Sequence, residues 1–129
     1  MIFAGKRPSN LGVNNGKLAS CPNSPNCVSS QDRDPQHIIS PLTFNSHSQD
    51  AIAHLKQIIQ SLPRTKIITE TEDYLYAEFK SALMGFVDDV EFYLDRPANV
   101  IQVRSASRLG QSDLGVNRQR IETIRAKFK

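Results

Sequence analysis

From Ser48 onward the apolar positions follow two periods. Ile52, Leu55, Ile59 and Leu62 recur at spacings of three and four, with Ile58 widening the stripe. That pattern predicts a helix starting at Ser46 or Ser48 and stopped by Pro63. Ser46, with Gln49 three residues on, resembles a capping box. Four runs of period two follow, near Thr65–Thr71, Tyr74–Leu83, Phe86–Asp95 and Asn99–Arg108. The joints between them (Glu72-Asp73, Met84-Gly85 and Arg96-Pro97-Ala98-Asn99) are short, which predicts an antiparallel meander. A last helix is expected with Leu114, Asn117, Ile121, Ile124 and Phe128 on one stripe, capped by Asp113 or Ser112.

One residue breaks the strand pattern. Phe86, Asp88, Val90, Phe92 and Leu94 share a face that should meet the core, and Asp88 is a carboxylate. The opposite face, Val87, Asp89, Glu91, Tyr93 and Asp95, is mostly polar and reads as solvent-facing. A tight turn at Met84-Gly85 would pair Leu83 with Phe86, Ser81 with Asp88, Phe79 with Val90 and Ala77 with Phe92. On the outer face it would set Lys80 against Asp89 and Glu78 against Glu91. Pairing Asp95 with Val100 puts Leu94 on Ile101, Phe92 on Val103, Val90 on Ser105, Asp88 on Ser107 and Glu91 on Arg104. A one-residue slip would turn a core row outward, so these registers are well specified.

Residues 1–47 show neither period and are rich in Pro, Asn and Ser, with turn dipeptides such as Asn15-Gly16. They read as a wrapping arm carrying the Cys21/Cys27 loop, loose at its start and anchored by Ile38, Ile39, Leu42 and Phe44. The expected architecture is α+β: a four-stranded antiparallel meander with two helices packed on one face, preceded by a long irregular N-terminal arm. Residues 48–129 form the α+β part, and the whole chain is one domain.

Composition narrows the function. Sixteen basic against 13 acidic residues leave a formal net charge of +3, with the cations scattered. That balance, with no Trp and no aromatic-basic interleaving, argues against a nucleic-acid binder. No segment is long and apolar enough for a signal peptide or a membrane span. The expectation is a soluble, cytoplasmic protein, with peripheral membrane association left open.

The registers gather Ser81, Asp88 and Ser107 at one sheet end, with Ser105 one step further in and Asn117 facing them from the last helix. A buried carboxylate needs donors, so this group reads as a clamp tying the last loop and helix to the sheet. The same geometry with a cavity would be an anion site, using Arg108, Ser112, Asp113, Arg118 and Arg120 around the Gly110–Gly115 loop. Asp88-Asp89 is no acid pair, because strand neighbours point to opposite faces. Serine hydrolysis would require His37, His47 or His54 to approach Ser105 or Ser107. Cys21 and Cys27, in "CPNSPNC", can close as a disulfide, although reduced thiols are the default for a chain with no secretory signal. The spacing is not that of a zinc site, so no metal or cofactor is expected.

"CPNSPNCVSSQ", "DYLYAEFKS", "GFVDDVEFYLD" and "VRSASRLGQSDLGVNRQRIETIR" together resemble domain-of-unknown-function family 1499, from about Cys21 to the C-terminus. The arm "FAGKRPSNLGVNNGKLASCPNSPNC" is similar to cyanobacterial and chloroplast members. The resemblance gives weight to Cys21, Cys27, Ser29, Asp88, Asp89, Arg104, Ser105, Ser107, Arg108, Ser112, Asp113, Asn117 and Arg118, and it names no reaction. Many members carry a hydrophobic N-terminal segment and are membrane-associated or exported; this chain departs from them there.

The resulting expectation is a small binding or assembly module. It would hold an anion, a lipid head group or a protein partner at the polar sheet end near Arg108 and Arg118. The alternative is a small enzyme, either a hydrolase using Asp88 with Ser105 or Ser107, or a thiol redox protein using Cys21 and Cys27.

Overall fold

The computed structural model describes residues 4–45, 47–82, 85–110 and 115–128. In chain order the elements are β1 (Cys27–Ser29), α1 (Ser48–Ser61), β2 (Thr65–Glu70), β3 (Tyr74–Lys80), β4 (Val87–Asp95), β5 (Val100–Ser107) and α2 (Val116–Phe128). The α+β class holds, but the antiparallel sheet has five strands rather than four, in the order β1-β5-β4-β3-β2. The extra strand comes from the arm. Cys27 pairs with Ala106, Val28 with Ser105 and Ser29 with Arg104, so β1 covers what would otherwise be the open edge of β5. Three residues are too few to leave a periodic trace in sequence.

One apolar cluster holds the layers together. Leu75, Ala77 and Phe79 of β3, Val90, Phe92 and Leu94 of β4, and Ile101 and Val103 of β5 pack with Ile52, Leu55 and Ile59 of α1 and Ile121 and Ile124 of α2. The arm adds Val28, Ile39 and Leu42, with Phe44 half-buried against the cluster. Leu42 is fixed further by backbone hydrogen bonds in both directions with Ile101, whereas Ile38, expected as an anchor, is exposed. The N-cap of α1 is His47, which makes no side-chain capping bond, and Ser46 lies outside the described residues.

The β4–β5 register is the expected one, from Asp88 opposite Ser107 to Asp95 opposite Val100. The β3–β4 register is displaced by two residues: Phe79 faces Asp88, Ala77 faces Val90 and Leu75 faces Phe92. Ser81 instead closes the hairpin. Its N–H donates to Phe86 O (2.8 Å), and its hydroxyl accepts from Phe86 N–H (3.0 Å). The hairpin therefore closes at Ser81 and Phe86 rather than at Leu83 and Phe86, and Leu83 and Met84 lie outside the described residues. The expected Lys80–Asp89 and Glu78–Glu91 pairs are replaced by Lys80 opposite Val87, Glu78 opposite Asp89 and Tyr76 opposite Glu91.

The outer face of the sheet is not the solvent face its polarity suggests. Asp89 is 1% exposed, Glu91 0% and Arg104 4%. The residues before Cys21 lie across it. They turn back at Asn15-Gly16, where both φ angles are positive (55° and 75°) and Asn14 and Lys17 exchange backbone hydrogen bonds of 2.8 and 3.1 Å.

Candidate functional site

The sheet carries a polar cluster on each face, and the "CPNSPNC" loop touches both. On the core face, Asp88 Oδ2 lies 2.7 Å from Arg120 Nη2 of α2. Arg120 also donates from Nη1 to Asn117 Oδ1 (2.9 Å) and Ser105 Oγ (3.2 Å), and its guanidinium lies 5.0 Å from the Phe79 ring centroid. Asn117, fully buried, accepts from the Ser105 hydroxyl (2.6 Å) and donates from Nδ2 to Ser107 Oγ (2.9 Å) and Asn26 O (3.1 Å). Asn26 continues the network, donating to Gly110 O (2.6 Å) and accepting from Ser24 Oγ (2.7 Å). Every group named here has a partner, as buried polar atoms require.

Of the residues expected at this end, Asp88, Ser105, Ser107 and Asn117 come together. Ser81 is exposed at the hairpin, because the two-residue displacement carries it past Asp88. Arg118 donates to Ile38 O (2.9 Å) and Gln36 O (3.3 Å), tying α2 to the arm. Ser112 and Asp113 lie outside the described residues. His37 is buried, with Nε2 2.8 Å from Ser24 O and Nδ1 3.2 Å from Asp34 Oδ2, so its ring is engaged within the arm. Arg120 was expected as a cation beside the Gly110–Gly115 loop, but not as the partner of Asp88. The available signal was its position one turn after Asn117 on the same helix.

Arg108 belongs to the other face. Its Nη2 lies 2.6 Å from Glu78 Oε2 and 2.9 Å from Asp89 Oδ1, and its Nε lies 2.9 Å from Asp89 Oδ2. It thus joins two carboxylates that would otherwise repel across β3 and β4. Hydrogen bonds to Asp89 and Glu78 hold the Arg108 guanidinium above its ordinary range. Burial would raise Glu78, but bonds from Arg7 and Arg108 carry it below the usual carboxylate range. Tyr76 donates to Asp89 and Tyr74 donates to Glu91 (2.6 Å); burial and these acceptors raise both phenols.

The arm is seated on this charged face. Gly5 O accepts from Arg108 Nη1 (3.4 Å), Arg7 donates to Glu78 (2.7 Å), Gly12 N–H donates to Glu91 Oε2 (2.7 Å) and Ser20 O accepts from Arg104 Nη2 (3.4 Å). Gly5 is required there. A Cβ at its φ of +76° would lie 3.1 Å from Arg108 Cβ and from Leu109 Cγ.

Arg104 and Glu91 are the least satisfied members. Nη1 and Oε1 stand 3.8 Å apart, and neither Arg104 Nε nor Glu91 Oε1 finds a hydrogen-bond partner among the described residues. Burial lowers the Arg104 guanidinium and raises the Glu91 carboxyl, each toward its neutral form. Arg104 lines a cleft of about 430 Å³ between arm and sheet, together with Lys6, Asn10, Ser20 and Cys21.

Cys21 and Cys27 form a disulfide, where reduced thiols were the default reading. Among the described residues, no group of three His, Cys, Asp or Glu side chains is placed to hold a metal ion, and no helix is long and apolar enough to cross a membrane.

No curated protein and no solved structure matches the chain. The family described as "Protein of unknown function (DUF1499)" matches residues 17–128, which takes in the disulfide loop, every strand and both helices. The chain belongs to this family, whose function is uncharacterised.

Proposed function

We propose that the protein is a small binding module that takes an oxyanion, the carboxylate or phosphate group of a larger ligand, in the cleft between arm and sheet. The observation that supports this is Arg104: 4% exposed, lining the cleft, with Nε unpartnered among the described residues. A buried guanidinium with an unpaired donor is costly, and two oxygens of a carboxylate or phosphate fit its fork in a bidentate way. Lys6 on the opposing arm supplies a second cation, while Asp89, also on the wall, is already held by Arg108. The core-face cluster at Asp88 is the weaker candidate, because Arg120 holds its carboxylate. That cluster acts as the clamp between sheet, last helix and disulfide loop.

A lipid head group and a metabolite share this chemistry, and an acidic protein partner would present it as a side chain. A cytoplasmic setting is compatible with the Cys21–Cys27 bridge only where that bridge is reversible.

Titration of the oxidised full chain with inorganic phosphate and with acetate tests the proposal, followed through the Arg104 Nε–H resonance. A saturable shift that weakens in Lys6→Ala and disappears in Arg104→Gln is expected. Lys6 is exposed, so its variant separates loss of binding from loss of fold. An Nε–H resonance unmoved by either anion would end the proposal.

A further inference from the structure

We propose that the Cys21–Cys27 bridge is a reversible latch, opened by a dithiol reductant, that releases the arm and lowers the affinity of the cleft for an oxyanion. This rests on the cleft reading above.

The two cysteines differ in exposure. Cys21 is half-buried on the cleft wall, whereas Cys27 is fully buried in β1 opposite Ala106. A reductant thiolate therefore meets Cys21 Sγ first. It forms a mixed disulfide there, and Cys27 leaves as a thiolate that takes a proton. The second thiol of the reductant attacks the mixed disulfide and displaces Cys21. Two electrons pass from the dithiol, which becomes a disulfide, and the chain ends with two thiols.

What moves is set by the remaining contacts. Cys27 stays in the sheet through its pairing with β5, and Asn26 beside it stays bonded to Gly110 and Asn117. Cys21 keeps only its N–H bond to Asp32 Oδ2 (3.2 Å) among the contacts described for it, and the arm before it rests on polar contacts to the outer face and on the buried Leu18 side chain. The disulfide is the one covalent tie across this loop, since the chain has two cysteines. Opening it frees the arm rather than the sheet. The cleft loses a fixed wall and, with the arm, the placement of Lys6 against Arg104.

The test compares the full chain before and after dithiothreitol, with free thiols counted. Two thiols should appear under native conditions. Amide exchange at Gly12 and Leu18, whose N–H groups donate to Glu91 and Gln31, should accelerate by about tenfold or more, while exchange at Ser107, bonded to Asn26 O, stays slow. Phosphate affinity should fall by about tenfold. Cys27→Ser should behave as the reduced protein and ignore the reductant; where that variant does not fold, the titration of the natural chain decides alone. Unchanged protection of Gly12 and Leu18 after complete reduction overturns the latch, as does a bridge that opens only on unfolding. Accelerated arm exchange in a protein whose oxidised form never bound phosphate supports the latch and rejects the oxyanion reading, so the two failures are distinct.

Discussion

Glu78 and Asp89 stand directly opposite each other on neighbouring strands, two carboxylates in one cross-strand pair. Such a pair is unfavourable alone, and Arg108 bridges it from the end of β5. Truncating the bridge leaves Asp89, 1% exposed, without its cation. Arg108→Ala should cost about 3 kcal/mol in urea unfolding, and Arg108→Lys should recover only part of it, because an ammonium cannot reproduce the fork.

The core-face ion pair should behave as a coupled unit. Arg120→Leu strands the buried Asp88 carboxylate and should cost about 3 kcal/mol. Asp88→Asn should cost about 1 kcal/mol, since Arg120 keeps Asn117, Ser105 and the Phe79 ring. The double variant should be more stable than the sum of the single losses, a non-additivity that a double-mutant cycle measures directly.

Two glutamates should tilt the pH dependence in opposite directions. Burial raises Glu91, so the folded chain keeps that proton to higher pH than the unfolded one. Its contribution to stability is therefore lost as pH rises from the unfolded value of 4.5 through the folded one. Glu78 is lowered, so its contribution is present above 4.5 and lost as pH falls through the folded value. The stability of the natural chain relative to Glu91→Gln should decline with pH above that point, and relative to Glu78→Gln it should climb with pH below it. Urea unfolding across a pH series resolves both slopes.

Two glycines of the arm separate steric from backbone effects. Gly12 has φ +101° and open space around its missing Cβ, so Gly12→Ala carries a backbone cost alone, about 1 kcal/mol. Gly5→Ala adds a clash with Arg108 and Leu109 and should cost about 2 kcal/mol, with faster amide exchange over the segment covering the outer face.

The sequence shows plainly which residues face the core and less plainly which neighbours they meet. The β4–β5 register was legible because Arg96–Asn99 forms a compact turn, with Asn99 at φ +58°, and the pairing that follows from it sets apolar on apolar and Glu91 on Arg104. The β3–β4 displacement was invisible to the same reasoning. Sliding by two residues keeps each side chain on its face, and Ala77 against Val90 is as apolar a match as Ala77 against Phe92. Asp88, Ser105, Ser107 and Asn117 were foreseen as one cluster because β4, β5 and the helix stripe share that face. Burial of Asp89, Glu91 and Arg104 was not foreseen, since the arm that covers them has no period and makes several of its contacts through backbone groups, at Gly5, Gly12 and Ser20.

The pairing of β1 with β5 also constrains how the chain can be made. The arm and β1 are made before β5, the strand that receives them, with α1 and three strands in between. Until that strand has emerged, the early segment has no sheet to join, and its two cysteines travel in open chain, close enough to bond before any fold exists. Oxidation can therefore precede folding in this protein, and β1 takes its final place only after β5 has been made.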